Sequence, residues 1–448
     1  MPDNTAPPPA LARRLGLASL TALVVGEVIG VGIFLTPAGM ARTLGSPFWL
    51  LVAWLIVGAM ALIGALCYGE LAARLPEAGG GYVYLRRAYG PVVAFLYGWK
   101  CMLVMDPGIT AALAVGLASY VGYVVTLSAV GMKAVALGAV LALAAVNIVG
   151  VRFGARLMQW LTVLKVGALL LIAVLAVVLE RGSWSNFMPF VAQRAGSVPL
   201  PGALAPALVG AFFAFGGWWE ISKLGGEAQD PERTVPRALA LGVAVITGVY
   251  ILTSAVFLYL VPVERVTSGE TFAAQAGEAL FGPAGGRVFA GIVIVAVLGS
   301  ILGLLMALPR AYFAMARDGL FFKAVAAVHP RFGTPARAIA LQAALASLLV
   351  LLGNFGQIVS YFIFITVLFV GLTVAAVFVL RRREGAARAY RTPGYPVTPV
   401  IFLVLVAGLL FLLAKGSPMQ AAWGAGIVAL GIPVYFAVFR RRELESPP

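Results

Sequence analysis

Gly26-Glu27-Val28-Ile29-Gly30-Val31-Gly32-Ile33-Phe34 lies in the middle of the first long apolar run of the chain, about residues 17–41. Three glycines and a carboxylate in nine residues are poor material for an unbroken apolar helix, because an interior glycine costs about 1 kcal/mol relative to alanine. A second interruption, Phe215-Gly216-Gly217-Trp218, stands at the middle of a later run, 203–222. Paired glycines at mid-run permit local unwinding. Inside a bilayer, unwound backbone is tolerated only where it lines a cavity.

Lipid is the solvent that the rest of the chain demands. Of its 448 residues, 62% are hydrophobic and only 11% charged, with a mean hydropathy of +1.00. A soluble domain carries roughly 25% charged residues. A membrane helix needs about 20 apolar residues, and twelve runs approach or exceed that length: 17–41, 48–69, 92–125, 131–149, 157–179, 203–222, 238–261, 288–315, 338–353, 358–380, 397–414 and 421–439. The runs are apolar on all faces, which excludes the alternating strands of a barrel. The fold class is therefore all-α integral membrane, with about twelve transmembrane helices and no soluble domain. The first run is too long for the 7–15-residue apolar region of a signal peptide.

The net charge of +15 could suggest a nucleic-acid partner, but its distribution argues otherwise. With the N-terminus inside, 23 of the 32 Lys and Arg fall on the cytoplasmic side, Arg310 at the inner end of its run among them. Seven fall on the other side, and Lys100 and Lys165 lie within runs. That bias places both termini in the cytoplasm. Arg381 to Arg383 and Arg440 to Arg442 read as membrane anchors, and no nucleic-acid partner is needed. Cys67 and Cys101 lie in apolar runs and His329 stands alone in a loop, so neither a disulfide framework nor a metal site is expected. No cofactor and no catalytic constellation is legible, and nothing in the chain calls for an obligatory protein partner.

Run 6 enters the membrane from the side opposite to run 1. Runs 1–5 (17–180) and 6–10 (203–380) would then be inverted repeats with breaks at matching positions, followed by two further helices (397–439) and flanked by tails 1–16 and 440–448. Matching breaks in the two halves are the best sequence pointer to a carrier's binding site, a rule drawn from transporters of this architecture.

Several motifs, in order, resemble the amino acid–polyamine–organocation transporter superfamily. The first is Gly30-Val31-Gly32-Ile33-Phe34 with Pro37. Tyr68-Gly69-Glu70-Leu71, Pro76-Glu77-Ala78-Gly79-Gly80-Gly81-Tyr82-Val83-Tyr84 and Gly98-Trp99 follow. Then come Phe215-Gly216-Gly217-Trp218, Gly226-Glu227-Ala228-Gln229-Asp230-Pro231-Glu232-Arg233 and Pro236-Arg237-Ala238. The last is Arg310 with Ala314-Met315-Ala316-Arg317-Asp318-Gly319. The set spans essentially the whole chain and looks closest to the L-type and cationic amino acid transporter branches. The resemblance implies a five-plus-five inverted-repeat carrier that moves an amino acid across the plasma membrane by alternating access.

An amino acid is a carboxylate and an ammonium on one carbon. Free amides at a half-helix N-terminus attract an anion, here those around Val31, Gly32 and Ile33, with Gly30 beside them in the substrate-binding break. Half-helix C-terminal carbonyls attract a cation, here those of Ile29 and Phe215. Gly216 and Gly217 let a substrate approach the backbone. Phe215 and Trp218 are expected to form an occluding gate and pocket wall. Lys165 is an intramembrane charge facing the bundle interior. In sodium-independent relatives a lysine here replaces a sodium site, and Ile33 stands where a sodium-coupled relative has a polar ligand, so no sodium dependence is expected.

Glu27, near the middle of run 1, should be paired, with Lys165 as its candidate partner, or uncharged. It could serve proton coupling or cation recognition, or be a structural ion pair. Asp106 could line the cavity or satisfy backbone disturbed by Pro107. Glu70, Glu227, Asp230, Arg233 and Asp318 read as inner-gate and loop salt bridges. The glycine, valine and phenylalanine of the breaks favour a small or apolar neutral substrate, moved by proton symport or by exchange. The alternatives are a cationic amino acid or polyamine read by Glu27 and Asp106, or a substrate sensor or channel.

Overall fold

The computed structural model describes residues 13, 15–30, 32–77, 79–149, 151–266, 272–385 and 389–439. Among them are sixteen α-helices and no β-strand: α1 (Leu17–Val28), α2 (Gly32–Leu44), α3 (Pro47–Arg74), α4 (Gly81–Tyr89), α5 (Pro91–Lys100), α6 (Asp106–Val124), α7 (Ala129–Val149) and α8 (Val151–Val178) in the first half. The second half holds α9 (Leu200–Phe215), α10 (Pro231–Leu260), α11 (Phe272–Ala307), α12 (Pro309–Arg317), α13 (Ala336–Leu352), α14 (Phe355–Glu384), α15 (Val397–Gly416) and α16 (Pro418–Val434). Nine helical stretches among the described residues are long and apolar enough to cross a membrane. The bent pair α1–α2 is a tenth, and Val163–Val178 and Ala336–Leu352 are shorter apolar helices.

Local chemistry sets the boundaries. Ser46 caps α3, its Oγ accepting from the Trp49 amide at 3.4 Å ahead of Pro47, where a missing N–H does no harm. Asn354 and Gln357 form a reciprocal capping box at the start of α14. α5 and α6 form one span, Pro91–Val124, joined by a π-helical turn at Cys101–Met105.

Burial sorts the helices into core and lipid face. Of the apolar window in Pro91–Val124, 83% is buried, against 17% in α7 and 28% in each of the α15 and α16 spans. The α5–α6 span is therefore central, and α7, α15 and α16 are peripheral. α8 turns Trp160, Val163, Val174 and Val177 outward, the pattern of a lipid-facing helix. α3 packs along α10, α2 along α9, and α6 along α11, α7 and α13.

Candidate functional site

Both predicted breaks are present, and the tertiary fold sets them against each other. α1 stops at Val28 and α2 restarts at Gly32, at 49° to it; Val31 lies outside the described residues. α9 stops at Phe215. Gly217 takes φ of +109°, a left-handed geometry suited to glycine, and a 3₁₀ turn runs from Trp218 to Lys223. At the crossing, a Cβ on Gly32 would lie 2.6 Å from Ala214 Cα. Only hydrogen at that position lets the start of α2 meet the last turn of α9.

One hydroxyl ties both broken ends together. Tyr250 Oη, buried on α10, lies 2.9 Å from the Val28 carbonyl and 2.8 Å from the Ala214 carbonyl. Two further carbonyls near the end of α1 are also held. The Ile29 amide donates to Val25 O at 2.9 Å, and Lys165 Nζ donates to Gly26 O at 2.5 Å and to Ser300 Oγ at 3.2 Å. A lysine at a helix C-terminus satisfies carbonyls and complements the helix dipole. Of the two alternatives for Glu27, an ion pair with Lys165 is not formed among the described residues. The Lys165 ammonium is drawn to backbone oxygen, and Glu27 Oε1 is buried without a hydrogen bond.

A cavity fills the space between the breaks. Glu27, Val28, Gly30, Gly32, Gly216, Gly217 and Glu220 form its polar side. Met105, Ile109, Leu113, Phe213, Leu304 and Leu308 form its apolar side. A second, apolar hollow adjoins it through Met105, Ile109, Phe213, Gly216 and Gly217 and reaches Trp219, Phe362, Ile363 and Thr366. The arrangement suits a small zwitterion with an apolar side chain. Gly32, the first residue of α2, is on the polar side, where a half-helix N-terminus attracts an anion.

Several expectations are corrected by this geometry. The side chains of Phe215 and Trp218 do not wall the cavity. Phe215 packs against Trp54 at 6.2 Å and Tyr250 at 5.1 Å between ring centroids, and Trp218 against Tyr68 at 5.1 Å. On α9 the helical period turns Phe213 inward in place of Phe215, and in the 3₁₀ turn it is Trp219, not Trp218, that lines the second hollow. Ile29 and Ile33 are fully buried beside the break. Asp106 is also fully buried, outside the cavity lining, with neither carboxylate oxygen hydrogen-bonded. The missed lining residues Met105, Ile109, Leu113, Leu304 and Leu308 carry no local signal, since any apolar run offers such side chains.

Far from the cavity, at the face that the charge bias assigns to the cytoplasm, the expected acids are partly engaged. Glu70 is buried and takes a bidentate Arg381 at 2.7 and 2.6 Å, with the Thr392 amide at 2.8 Å. Asp318 pairs with Arg86 at 3.2 Å and accepts from Tyr82 at 2.9 Å. Asp230 caps α10 from a left-handed geometry, and neither it nor Arg233 forms an ion pair among the described residues. The side chain of Glu227 lies outside the described residues.

The family described as Amino acid permease matches residues 15–438. The serine/threonine exchanger SteT of Bacillus subtilis (strain 168) is 33% identical over 439 residues, covering 96% of this chain and 98% of that protein. Large neutral amino acids transporter small subunit 2 of Homo sapiens is 30% identical over 443 residues, covering 95% and 80%. Asc-type amino acid transporter 1 of Mus musculus is 30% identical over 445 residues, covering 97% and 83%. With a family match over residues 15–438 and a relative similar along nearly its whole length, the chain belongs to the amino acid permease family: it is a membrane transporter of amino acids and not an enzyme.

Proposed function

We propose that the chain exchanges neutral amino acids with small or apolar side chains across the plasma membrane, without sodium, by alternating access. The observation that carries this reading is the cavity itself. Both helix breaks line it, the start of α2 lies on its polar side, and its other walls are apolar. Exchange is favoured over proton symport by the most similar of the relatives described above, an exchanger. The Lys165 ammonium supports sodium independence, because it already holds the Gly26 carbonyl and the Ser300 hydroxyl, oxygens of the kind a sodium ion would need.

On this reading the protein has twelve spans and both termini in the cytoplasm, with α8 and α13 as the two spans beyond the ten long ones. The helix packing supports inverted repeats 17–180 and 203–380. α3 packs on α9 as α10 packs on α1, α6 on α13 as α11 on α7, and α6 on α14 as α11 on α8. Each pairing recurs with the halves exchanged. α15 and α16 stand outside this scheme and pack on α14.

The test is thermal stabilisation of purified protein by the twenty amino acids and several polyamines, at pH 5.5 and 7.5, without sodium. A ligand at 100 times its Kd adds about 2.7 kcal/mol to native stability. Stabilisation by a few neutral amino acids, followed by their counterflow in proteoliposomes, is the expected result. Stabilisation by cations alone would replace the neutral substrate with a cationic one. Uptake that proceeds without internal amino acid would replace exchange with symport.

A further inference from the structure

Lys223 is the residue whose placement departs furthest from its sequence context. It follows an apolar run and precedes a polar loop, yet the fold buries it at the end of the Trp218–Lys223 turn, its side chain 12% exposed. There it closes an ion pair with Glu220, one turn back. Glu220 is itself 4% exposed and lines the cavity beside Gly216 and Gly217.

The polar side of the cavity therefore carries two carboxylates, Glu27 and Glu220. Asp106 lies behind the wall, within electrostatic range of Lys223, Glu220 and Lys100. The cations nearby are all engaged. Lys165 is on Gly26 and Ser300, and Lys100 rests on Met105 Sδ at 2.9 Å and over the Tyr97 ring at 4.8 Å. Lys223 is on Glu220. Within the cavity lining, the Glu220 carboxylate is balanced by Lys223. A buried charge left without its partner is strongly unfavourable in a low-dielectric interior. A zwitterionic substrate with a neutral side chain leaves the balance unchanged. One with a cationic side chain would set a surplus positive charge beside Lys223, which is how a site rejects a competitor.

We propose that Lys223 determines specificity: it is an internal counter-cation for Glu220 that closes the cavity to amino acids with cationic side chains. The proposal rests on the reading of the chain as a carrier of neutral amino acids. Without Lys223, Glu220 would face the cavity unpaired, and an ammonium or guanidinium on the substrate would take the vacated position.

The experiment is counterflow in proteoliposomes, with radiolabelled lysine and the neutral amino acid that stabilises the protein best, for the unaltered protein, Lys223→Met, Lys223→Arg and the double variant Glu220→Gln/Lys223→Met. Neutral counterflow by the unaltered protein checks the functional reading separately. Its absence would overturn that reading and this proposal with it. Lys223→Met should raise the ratio of lysine to neutral uptake at least tenfold, a gain that a merely damaged fold does not produce. Lys223→Arg should keep lysine excluded, and the double variant should exclude it again. Lysine exclusion by Lys223→Met, or lysine uptake by the double variant, would overturn the proposal. Should Lys223→Met fail to fold, Glu220→Gln alone tests the same pair. Its unpaired Lys223 should let acidic amino acids compete at least tenfold better, and an inhibition profile like that of the unaltered protein would refute the assignment.

Discussion

Substituting Gly32 by alanine tests the crossing of the two broken helices. An ideal Cβ there would lie 2.6 Å from Ala214 Cα and 2.9 Å from Ala214 Cβ, where ordinary van der Waals separations begin at 3.4 Å. The nearest atom is backbone, so no rotamer change relieves the overlap, and the start of α2 must part from α9 by about 1 Å. Overpacking of this kind costs about 1–3 kcal/mol. The larger effect should be on transport, since a misplacement of about 1 Å at a reacting or binding site can cost about 10²-fold. Gly39, on the same helix, is the control. A Cβ there meets nothing within 4 Å, and alanine in a helix interior is favoured over glycine by roughly 0.5–1 kcal/mol. Proteoliposome counterflow and thermal denaturation should therefore separate the pair: Gly32→Ala folded but nearly inactive, Gly39→Ala active and equally or more stable. Adding Ala214→Gly removes the facing methyl group but not the overlap with the α9 backbone, so it should restore only part of the activity. Activity of Gly32→Ala near that of the unaltered protein would refute the close-crossing argument, as would an equal loss in Gly39→Ala.

Other substitutions probe the remaining supports. Tyr250→Phe deprives the Val28 and Ala214 carbonyls of their shared hydroxyl and should lower stability by about 1 kcal/mol, read as a fall in melting temperature. Glu70→Gln breaks a buried bidentate pair with Arg381 and should cost about 3–5 kcal/mol in the same assay; an unchanged melting temperature would show that the pair is not formed in the membrane. Phe213→Ala should alter the pattern of competing amino acids, because its ring lines the cavity. Phe215→Ala should instead act mainly through stability, losing about 3–5 kcal/mol of packing against Trp54 and Tyr250, and the reverse outcome would return Phe215 to the pocket wall. Replacing sodium with choline should leave uptake unchanged.

The sequence by itself determined the solvent, the secondary structure and the place of the two breaks. These are one-dimensional properties: length of apolar run, charge bias between loops, and glycines at mid-run. Most helices follow the predicted runs, but the run 288–315 is divided: α11 starts earlier, at Phe272, leaves helical geometry at Phe281 and Gly282, and ends at Ala307 before α12. Tertiary structure decided everything that depends on which face of a helix meets which neighbour. Phe213 and Phe215 are two residues apart on one helix, and nothing local says which turns to the cavity. The Lys165 ammonium took the Gly26 carbonyl over the Glu27 carboxylate because α8 delivers it to the end of α1. Lys223, which charge counting assigns to a cytoplasmic loop, is drawn inward by Glu220. Burial and pairing arise from contacts between segments far apart in the chain, and only the packed bundle brings those contacts into being.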